Sequence, residues 1–500
     1  MYLKIGHPRA LYSLCLAEIG ERFSFHAMRG IFVLYMTKIF LFSNQTVYAI
    51  FAAFTAFLYF TPLVGGYLAD QLLGTRKSVI LGGLLLSLGY FLLALLGKNN
   101  FYYALAIIVI GNGFFMPNIV SCVGQIYQKD NLLRESGFSI FYTAINIGAF
   151  LPPFIIAWII YQFGWHASFI ISGVGALFAT VVFYVCANRF PDVEKKPCVI
   201  LEKRKKIKVF FLLSIGMLAS IFAFCKLIEN PHFANEILFV TSMLFIIYAV
   251  KKSFTFPSWQ RNRLLICFIL TGFSILFWML SEQTAMSLAI YTEYNVQRHI
   301  GNYFIPTVFF FSLNPFFIII LGPLFSRLWI WLEQKNLNPS ISAKFALGTI
   351  LMGIGFVILP LAILLKNGDG QINLWWIVLS YLIQSCGELL FSPVGLSMMT
   401  ELSPKRMVGL MVGIWYLATA IAYSLAGFAS KLTIIPSGVN FPLETSPIYA
   451  QIFGMLGWLT IMAGVIILLF VPVFRKMMGE KIDEPFCEGV ENVRVVQMNS

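Results

Sequence analysis

Long apolar runs separated by short polar segments dominate the sequence. A helix needs about 20 apolar residues to cross a bilayer, and the runs reach or approach that length. The pattern predicts fourteen spans, at 11–40, 47–69, 78–97, 101–127, 137–161, 167–188, 209–226, 235–250, 263–292, 303–331, 343–365, 374–400, 406–432 and 448–474. The sequence therefore predicts an all-α membrane protein with about fourteen transmembrane helices.

The first span differs from the others because it carries four charges. On a helix, Glu18, Glu21, Arg22 and Arg29 fall with Phe25 within one stripe about 100° wide. A charge in the middle of a lipid-facing helix costs about 2.5–3.5 kcal/mol, so this stripe is expected to face a protein interior or a water-filled cavity. Charges inside the membrane favour a functional site, and the alternative is an ion-pair network that only holds helices together.

Composition excludes several classes of protein. The 500 residues are 59% hydrophobic and 11% charged, whereas about 25% of the residues in soluble proteins are charged. The eight cysteines show no metal-ligand spacing, and the sequence contains no nucleophile–base set or phosphate loop. We therefore predict neither an enzyme nor a metal or cofactor site. The net charge of +13 lies in loops, so we predict no nucleic-acid partner.

The basic residues predict the topology. Most of the 35 lysines and arginines fall on the side of the N-terminus if the spans alternate, which predicts that both termini are cytoplasmic. This alternation makes 209–250 a hairpin that crosses the membrane and returns. The predicted organisation is a six-helix bundle at 1–188, a basic linker with the inserted hairpin at 189–262, a second six-helix bundle at 263–474, and a cytoplasmic tail at 475–500.

Several motifs occur in a defined order along the chain. Gly65, Gly66, Asp70, Gly74 and Arg76 form a loop that resembles the signature of the major facilitator superfamily. The other segments are Glu18-Ile19-Gly20-Glu21-Arg22-Phe23, Phe141-Tyr142-Thr143-Ala144-Ile145-Asn146-Ile147-Gly148-Ala149, Phe277-Trp278 with Glu282-Gln283, Ser312-Leu313-Asn314-Pro315, Gly387-Glu388-Leu389, Ser392-Pro393-Val394-Gly395-Leu396-Ser397 and Gly413-Ile414-Trp415. Together they resemble the proton-coupled oligopeptide transporter (POT) family of that superfamily. The chain departs from the family pattern in three respects. Phe25 and His26 stand where the family often has two tyrosines, Ala52 stands where animal members have a functional histidine, and Met116 stands where the family usually has a lysine before Pro-Asn.

The resemblance implies roles for the charged and amide side chains. Arg22 would hold the carboxylate of a peptide, since its planar fork matches a carboxylate, and Glu388 would meet the ammonium with help from Asn314. Asn146 would bond the peptide backbone, since an amide both donates and accepts. Proton coupling would use Glu18, Glu21, Arg22 and Glu282. Glu282 lies alone in an apolar span, and a solitary buried carboxylate is expected to need a cation. Arg29 would pair with it as a gate and take part in substrate binding. The side chains expected to line the cavity are Phe25, Tyr35, Tyr59, Trp278, Ser392 and Trp415.

Structural alternatives remain open for these residues. The asparagines can act as interhelical hydrogen bonds, the Arg29–Glu282 pair can be permanent, and the aromatic residues can simply pack.

The leading hypothesis is a monomeric, proton-driven importer of di- and tripeptides in the cytoplasmic (inner) membrane, working by alternating access. Its expected partners are small peptides, protons and the lipid bilayer. The alternatives are a proton-coupled transporter of the same fold for amino acids or other small organic ions, and a non-transporting nutrient sensor.

Overall fold

The computed structural model describes residues 7–127, 133–189, 203–404, 407–435 and 442–478. The linker residues 190–202 and the tail from residue 479 onward lie outside this described part. Within it the chain forms sixteen α-helices: α1 (Arg9–Lys38), α2 (Asn44–Leu68), α3 (Thr75–Leu95), α4 (Phe101–Gln125), α5 (Arg134–Phe150), α6 (Pro152–Phe163), α7 (Trp165–Arg189), α8 (Lys203–Glu229), α9 (Pro231–Ser253), α10 (Ser258–Glu282), α11 (Ser287–Asn295), α12 (Leu313–Gln334), α13 (Ile341–Leu364), α14 (Leu374–Glu401), α15 (Val408–Lys431) and α16 (Pro442–Met478).

Shorter elements connect some of these helices. A π-helical turn, Ala69–Leu73, extends α2, and 3₁₀ turns occur at Gln283–Ala285 and Thr307–Ser312. The strands of the described part are β1 (Val296–Gln297), β2 (His299–Ile300), β3 (Tyr303–Phe304) and β4 (Ile372–Asn373). β1 pairs in parallel with β4, and β2 pairs antiparallel with β3. They lie in the connections that follow α11 and α13.

The number of membrane crossings agrees with the apolar pattern. In the described part of the chain, 13 helical segments are long and apolar enough to cross a bilayer. We count α1 as a fourteenth because it is 30 residues long and its mid-helix carboxylates are buried inside the protein. The prediction of an all-α membrane protein with about fourteen spans is therefore confirmed.

Two predicted spans are interrupted. The span predicted at 137–161 consists of α5 and α6, which are separated at Leu151 because Pro152 has no N–H to continue the helical ladder. The span predicted at 263–292 is broken directly after Glu282, where a 3₁₀ turn separates α10 from α11. In that turn, the Thr284 hydroxyl donates to the Ser281 carbonyl at 2.7 Å, a bond of the kind that bends helices.

Glycines allow the closest helix contacts around α1 and α2. A Cβ added at Gly148 of α5 would lie 2.8 Å from the Ile19 carbonyl oxygen of α1. A Cβ at Gly427 of α15 would lie 2.4 Å from the Cβ of Ala52 of α2. Replacing either glycine would therefore push the backbones apart.

The helices form two sets of mutual neighbours. α1 packs on α5 and α7, and α3 packs on α4 and α7. In the C-terminal part, α13 packs on α14 and α16, and α10 packs on α15. Contacts between the sets include α2 with α15 and α5 with α12, while α8 lies against α4 and α9 against α15. The division into bundles at 1–188 and 263–474 stays a prediction.

Candidate functional site

The charged stripe of α1 forms a buried network. The Arg22 Nη2 lies 2.5 Å from Glu21 Oε2, and the Arg22 Nε lies 3.2 Å from Glu18 Oε1. The carboxylates are 1% and 3% exposed, so burial in the bilayer interior is offset by this shared guanidinium. Among the described residues, Glu18 Oε2 and Glu21 Oε1 have no hydrogen-bond partner. Each carboxylate thus keeps one oxygen that can take up a proton.

Close helix packing holds this network in place. Gly148 lets α5 approach so closely that an added Cβ would lie 2.8 Å from Arg22 Cβ. On the other side, Gly175 of α7 faces Ser24, whose hydroxyl donates to the Gly20 carbonyl at 2.9 Å. The Arg22 guanidinium also lies 5.4 Å from the centre of the ring of Phe25, the next turn of the same helix. The surrounding helices therefore leave the Arg22 side chain little freedom.

Arg29 and Glu282 form an ion pair between α1 and α10. The distance from Arg29 Nη2 to Glu282 Oε2 is 2.6 Å, and the Glu282 side chain is fully buried while that of Arg29 is 20% exposed. The pair lies where α10 ends, so Glu282 is the last residue before the 3₁₀ turn. The structure thus brings together the two residues that the sequence analysis predicts as partners.

Asn314 and Glu388 meet on the opposite set of helices. The Asn314 Nδ2 of α12 donates to Glu388 Oε2 of α14 at 2.8 Å and to the Ser385 Oγ at 3.1 Å. Asn314 and Glu388 are half-buried, so part of each side chain stays accessible to solvent. Asn146 differs, because its Nδ2 donates to the Tyr142 carbonyl of its own helix at 2.9 Å. This bond lies within α5 and does not join two helices.

Aromatic side chains of the second set of helices stack on one another. Phe277 and Phe391 are parallel with ring centres 3.9 Å apart, and Trp278 meets Phe391 edge-on at 6.1 Å. Trp415 lies 6.1 Å from Phe391 and needs Gly395, where an added Cβ would lie 2.1 Å from its ring. These ring contacts restrain the orientation of both tryptophans.

The remaining predicted residues occupy separate positions. Tyr59 of α2 meets Tyr423 of α15 edge-on at 4.9 Å. Ser392 lies half-buried on α14, and Met116 lies half-buried on α4. Tyr35 is fully buried in an aromatic cluster with Phe40, Trp165, His166 and Phe169. Tyr35 therefore follows the packing alternative.

A second charge cluster, centred on Glu293, is absent from the sequence-based predictions. Lys38 at the end of α1 forms an ion pair with Glu293 of α11, and Arg298 Nη1 lies 3.3 Å from Glu293 Oε2. Thr307 also donates to Glu293, and Arg298 Nη2 donates to the Glu293 carbonyl at 2.8 Å. The only sequence signal is that Lys38 and Arg298 are among the few cations on the side opposite the N-terminus. We call this end of the molecule the outer end.

Gln283 is a further residue that the sequence analysis did not assign. Its Oε1 accepts from Ser287 at 2.6 Å and from Ser430 at 2.7 Å, and its Nε2 donates to the Ala426 carbonyl at 3.1 Å. Gln283 therefore connects both sides of the break after Glu282 to α15.

Comparisons with known proteins agree with this arrangement. Residues 76–443 match the sequence profile described as the POT family. The chain is 31% identical over 477 residues to dipeptide and tripeptide permease B of Salmonella typhimurium, covering 95% of this chain and 97% of the permease.

Solved structures of POT family transporters are similar to this chain in fold. A crystal structure of a peptide transporter POT in complex with sulfate has a TM-score of 0.81 and 30% identity, covering 95% of this chain and 97% of the other. A POT family transporter in complex with 5-aminolevulinic acid has a TM-score of 0.82 and 28% identity, with 94% and 98% covered.

Proposed function

Because the chain belongs to the POT family, whose members are membrane transporters, we propose that it imports di- and tripeptides together with protons. The observation that carries this proposal is the buried Glu18–Glu21–Arg22 network beside the Arg29–Glu282 pair. Glu18 and Glu21 can accept protons, Arg22 can bind the carboxylate of a peptide, and the Arg29–Glu282 contact between α1 and α10 can open. The permease of Salmonella typhimurium, named for dipeptides and tripeptides, supports the choice of substrate.

Recognition would use the constant parts of a peptide. The carboxylate would bind at Arg22, which is 12% exposed and already positioned by two carboxylates. The ammonium would bind at Glu388, whose contact with Asn314 leaves it half-buried. Arg29 and Asn146 would contribute to the peptide carboxylate and backbone. The aromatic wall of Tyr59, Trp278 and Trp415, with Ser392, would contact peptide side chains without strong selection.

Proton coupling follows from the competition for Arg22. The guanidinium contacts both Glu18 and Glu21. A peptide carboxylate that binds Arg22 weakens its attraction for these two carboxylates, which favours protonation of one of them. Peptide and proton would then cross together, and the inward proton gradient would drive import.

Alternating access would use the ion pairs near the outer end. Arg29–Glu282 and Lys38–Glu293 both join α1 to the segment formed by α10 and α11. An opening of the outer end requires both pairs to separate, and protonation of Glu282 would release Arg29. We propose that the bundles at 1–188 and 263–474 rock against each other about the central site, as inverted-repeat transporters do.

The cellular setting is proposed on the same grounds. The positive charge on the N-terminal side supports cytoplasmic termini, and the bacterial relatives support the inner membrane. One chain contains all of the proposed site residues, so we propose that a single copy transports its substrate.

Uptake of labelled peptide into proteoliposomes tests the function. Uptake should rise with an inward proton gradient and collapse when a protonophore is added. Sodium-dependent uptake that ignores the proton gradient would contradict the coupling. Counterflow with a panel of dipeptides, tripeptides, amino acids and organic anions would identify the substrate class.

Met116 supports a second candidate, a proton-coupled transporter for amino acids or other small organic ions. Methionine supplies an apolar contact where an ammonium would pair with a carboxylate, so the site has one cation fewer than the family pattern. A POT family structure in complex with 5-aminolevulinic acid is consistent with a non-peptide substrate.

The role of the substrate carboxylate can be tested with modified dipeptides. Under the peptide hypothesis, dipeptides with an amidated C-terminus should bind much more weakly than free dipeptides, because Arg22 would lose its partner. Equal binding of both forms would contradict the proposed carboxylate contact and favour the second candidate.

A further inference from the structure

A cavity of about 690 Å³ lies between α8 of the inserted hairpin and the helices α2, α3 and α4. Its wall is mainly apolar and includes Leu72, Phe114, Leu213, Met217 and Phe224. None of the residues of the proposed peptide site lines it. The cavity therefore belongs to a different site, formed where the hairpin meets the N-terminal helices.

The length of the cavity restricts its occupant. The lining residues of α8 run from Val209 to Phe224, which corresponds to about 22 Å of helix at 1.5 Å per residue. One leaflet contributes about 15 Å, half of the roughly 30 Å hydrocarbon core, so the lining is long enough to accompany an acyl chain through the full depth of a leaflet. In the most apolar part of α8, 11% of the residues are buried, so this helix borders the bilayer. A long apolar groove beside lipid fits an extended acyl chain better than a compact solute.

One end of the cavity is positively charged. Val209 and Phe210 line that end, and the Lys77 ammonium lies 5.8 Å from the centre of the Phe210 ring. Lys77 is exposed, and no described carboxylate lies within ion-pair distance of it. The sequence at 203–208, directly before Val209, is Lys-Arg-Lys-Lys-Ile-Lys. Positive charge at the mouth of an apolar groove complements a molecule with an anionic head and an apolar tail.

We propose that this cavity binds one anionic membrane phospholipid. Its acyl chain would lie along α8, and its phosphate would lie at Lys77. Basic pockets between transmembrane helices are known to select anionic lipid head groups. The lipid would fill the space between the hairpin and α4 and would hold α8 against the N-terminal helices. This gives the 209–250 hairpin a binding role separate from the proposed peptide site.

Lipid binding can be measured by native mass spectrometry of the purified full-length protein. The probes are phosphatidylglycerol and phosphatidylethanolamine with identical acyl chains, titrated against delipidated protein. We expect one phosphatidylglycerol to bind in preference to phosphatidylethanolamine. Equal binding of the two lipids would contradict selection by charge.

Gly216→Phe tests whether the cavity holds the acyl chain. Gly216 lines the cavity, and an added Cβ there meets no atom within 4 Å, so a phenylalanine at this position begins in open space beside the cavity that its ring is designed to fill. We expect the high-affinity phosphatidylglycerol to be lost. Ala219→Phe is the matched control, because Ala219 is exposed on the same helix and does not line the cavity. Wild-type lipid binding by Gly216→Phe would overturn the proposal.

Lys77→Gln tests the contact with the head group. We expect about fivefold weaker binding of phosphatidylglycerol and unchanged binding of phosphatidylethanolamine, from the usual contribution of one basic residue near anionic lipid. Lys252→Gln is the control, because Lys252 also lies near an aromatic ring, 5.7 Å from the centre of Tyr248, but away from the cavity. A matching loss in both variants would show a general charge effect and contradict the site.

A measurement on the wild type avoids dependence on variant folding. Phosphatidylglycerol with a photoactivatable group along its acyl chain would be bound to the protein and irradiated. We expect cross-linked peptides from 209–224 and from the end of α2. Cross-links spread over all lipid-facing helices, with no enrichment in these segments, would overturn the proposal.

Discussion

Two charge clusters on the same helix differ in what they connect. The Glu18–Glu21–Arg22 network lies within α1, where the contacts join neighbouring turns. Arg29, about 10 Å further along the helix axis, pairs with Glu282 of α10 instead. A movement of α1 against α10 leaves the first set of contacts intact and must break the second. In the proposed mechanism, the first cluster therefore serves proton and substrate chemistry, and the second serves gating.

The two charge clusters also differ in how deeply their side chains are buried. Glu21 is 1% exposed and shares Arg22 with Glu18, so the loss of Arg22 leaves two carboxylates in a low dielectric without a cation. Glu282 has one cation partner among the described residues, but Arg29 is 20% exposed and can be released toward water. The comparison predicts different consequences for changes in the two clusters.

The largest effect is expected for Arg22→Ala. Peptide affinity should fall by about thirtyfold or more, since truncating one partner of a buried hydrogen-bonded charge pair in a complex costs about 2–5 kcal/mol. Affinity would be measured by calorimetry and by counterflow of labelled dipeptide. Arg9→Ala is the control, because Arg9 is exposed at the start of the same helix. Wild-type affinity of Arg22→Ala would exclude this residue as the carboxylate contact.

Glu21→Gln should separate coupling from transport. The amide keeps the shape of the carboxylate but cannot take up a proton at neutral pH, so gradient-driven accumulation should disappear while peptide-for-peptide exchange survives. Both would be measured in the same proteoliposomes. Glu229→Gln, on the exposed hairpin, should behave as wild type. Normal accumulation by Glu21→Gln would mean that protons couple elsewhere.

The gate prediction concerns a coupling energy. A double-mutant cycle on Arg29 and Glu282 for transport rate should give about 0.5–3 kcal/mol, and exchanging the two residues should restore part of the lost rate. The reference cycle uses the exposed Lys226–Glu229 pair of the hairpin, where a coupling below about 1 kcal/mol is expected. Absence of coupling between Arg29 and Glu282 would remove the pair from the mechanism.

The smallest effect is expected at Lys38. Its side chain is 37% exposed, and Glu293 keeps Arg298 and Thr307 as partners, so Lys38→Gln should change transport by less than about fivefold. Glu293→Gln should have the larger effect because it removes the shared acceptor. Lys98→Gln provides the control at the same end, where Lys98 lies 4.5 Å from the centre of the Phe42 ring. A larger effect of Lys38→Gln than of Glu293→Gln would contradict this order.

The sequence by itself determined the features that depend on local periodicity. Fourteen apolar runs predict the spans, because span length depends only on bilayer thickness. The spacing of Glu18, Glu21 and Arg22 predicts a shared network, because residues three and four apart on a helix are neighbours wherever the helix lies. The pairing of Arg29 with Glu282 required one further argument, that a lone buried carboxylate needs a cation.

Only the tertiary structure decided which distant elements meet. The cluster at Glu293 depends on how α1, α11 and the following turn approach one another, and no local pattern encodes that approach. The same holds for the break after Glu282, where Gln283 bonds to α15, and for the cavity beside α8. These features depend on helix separations set by close backbone contacts such as Gly148 on α1, which neither the hydrophobic period nor the charge pattern specifies.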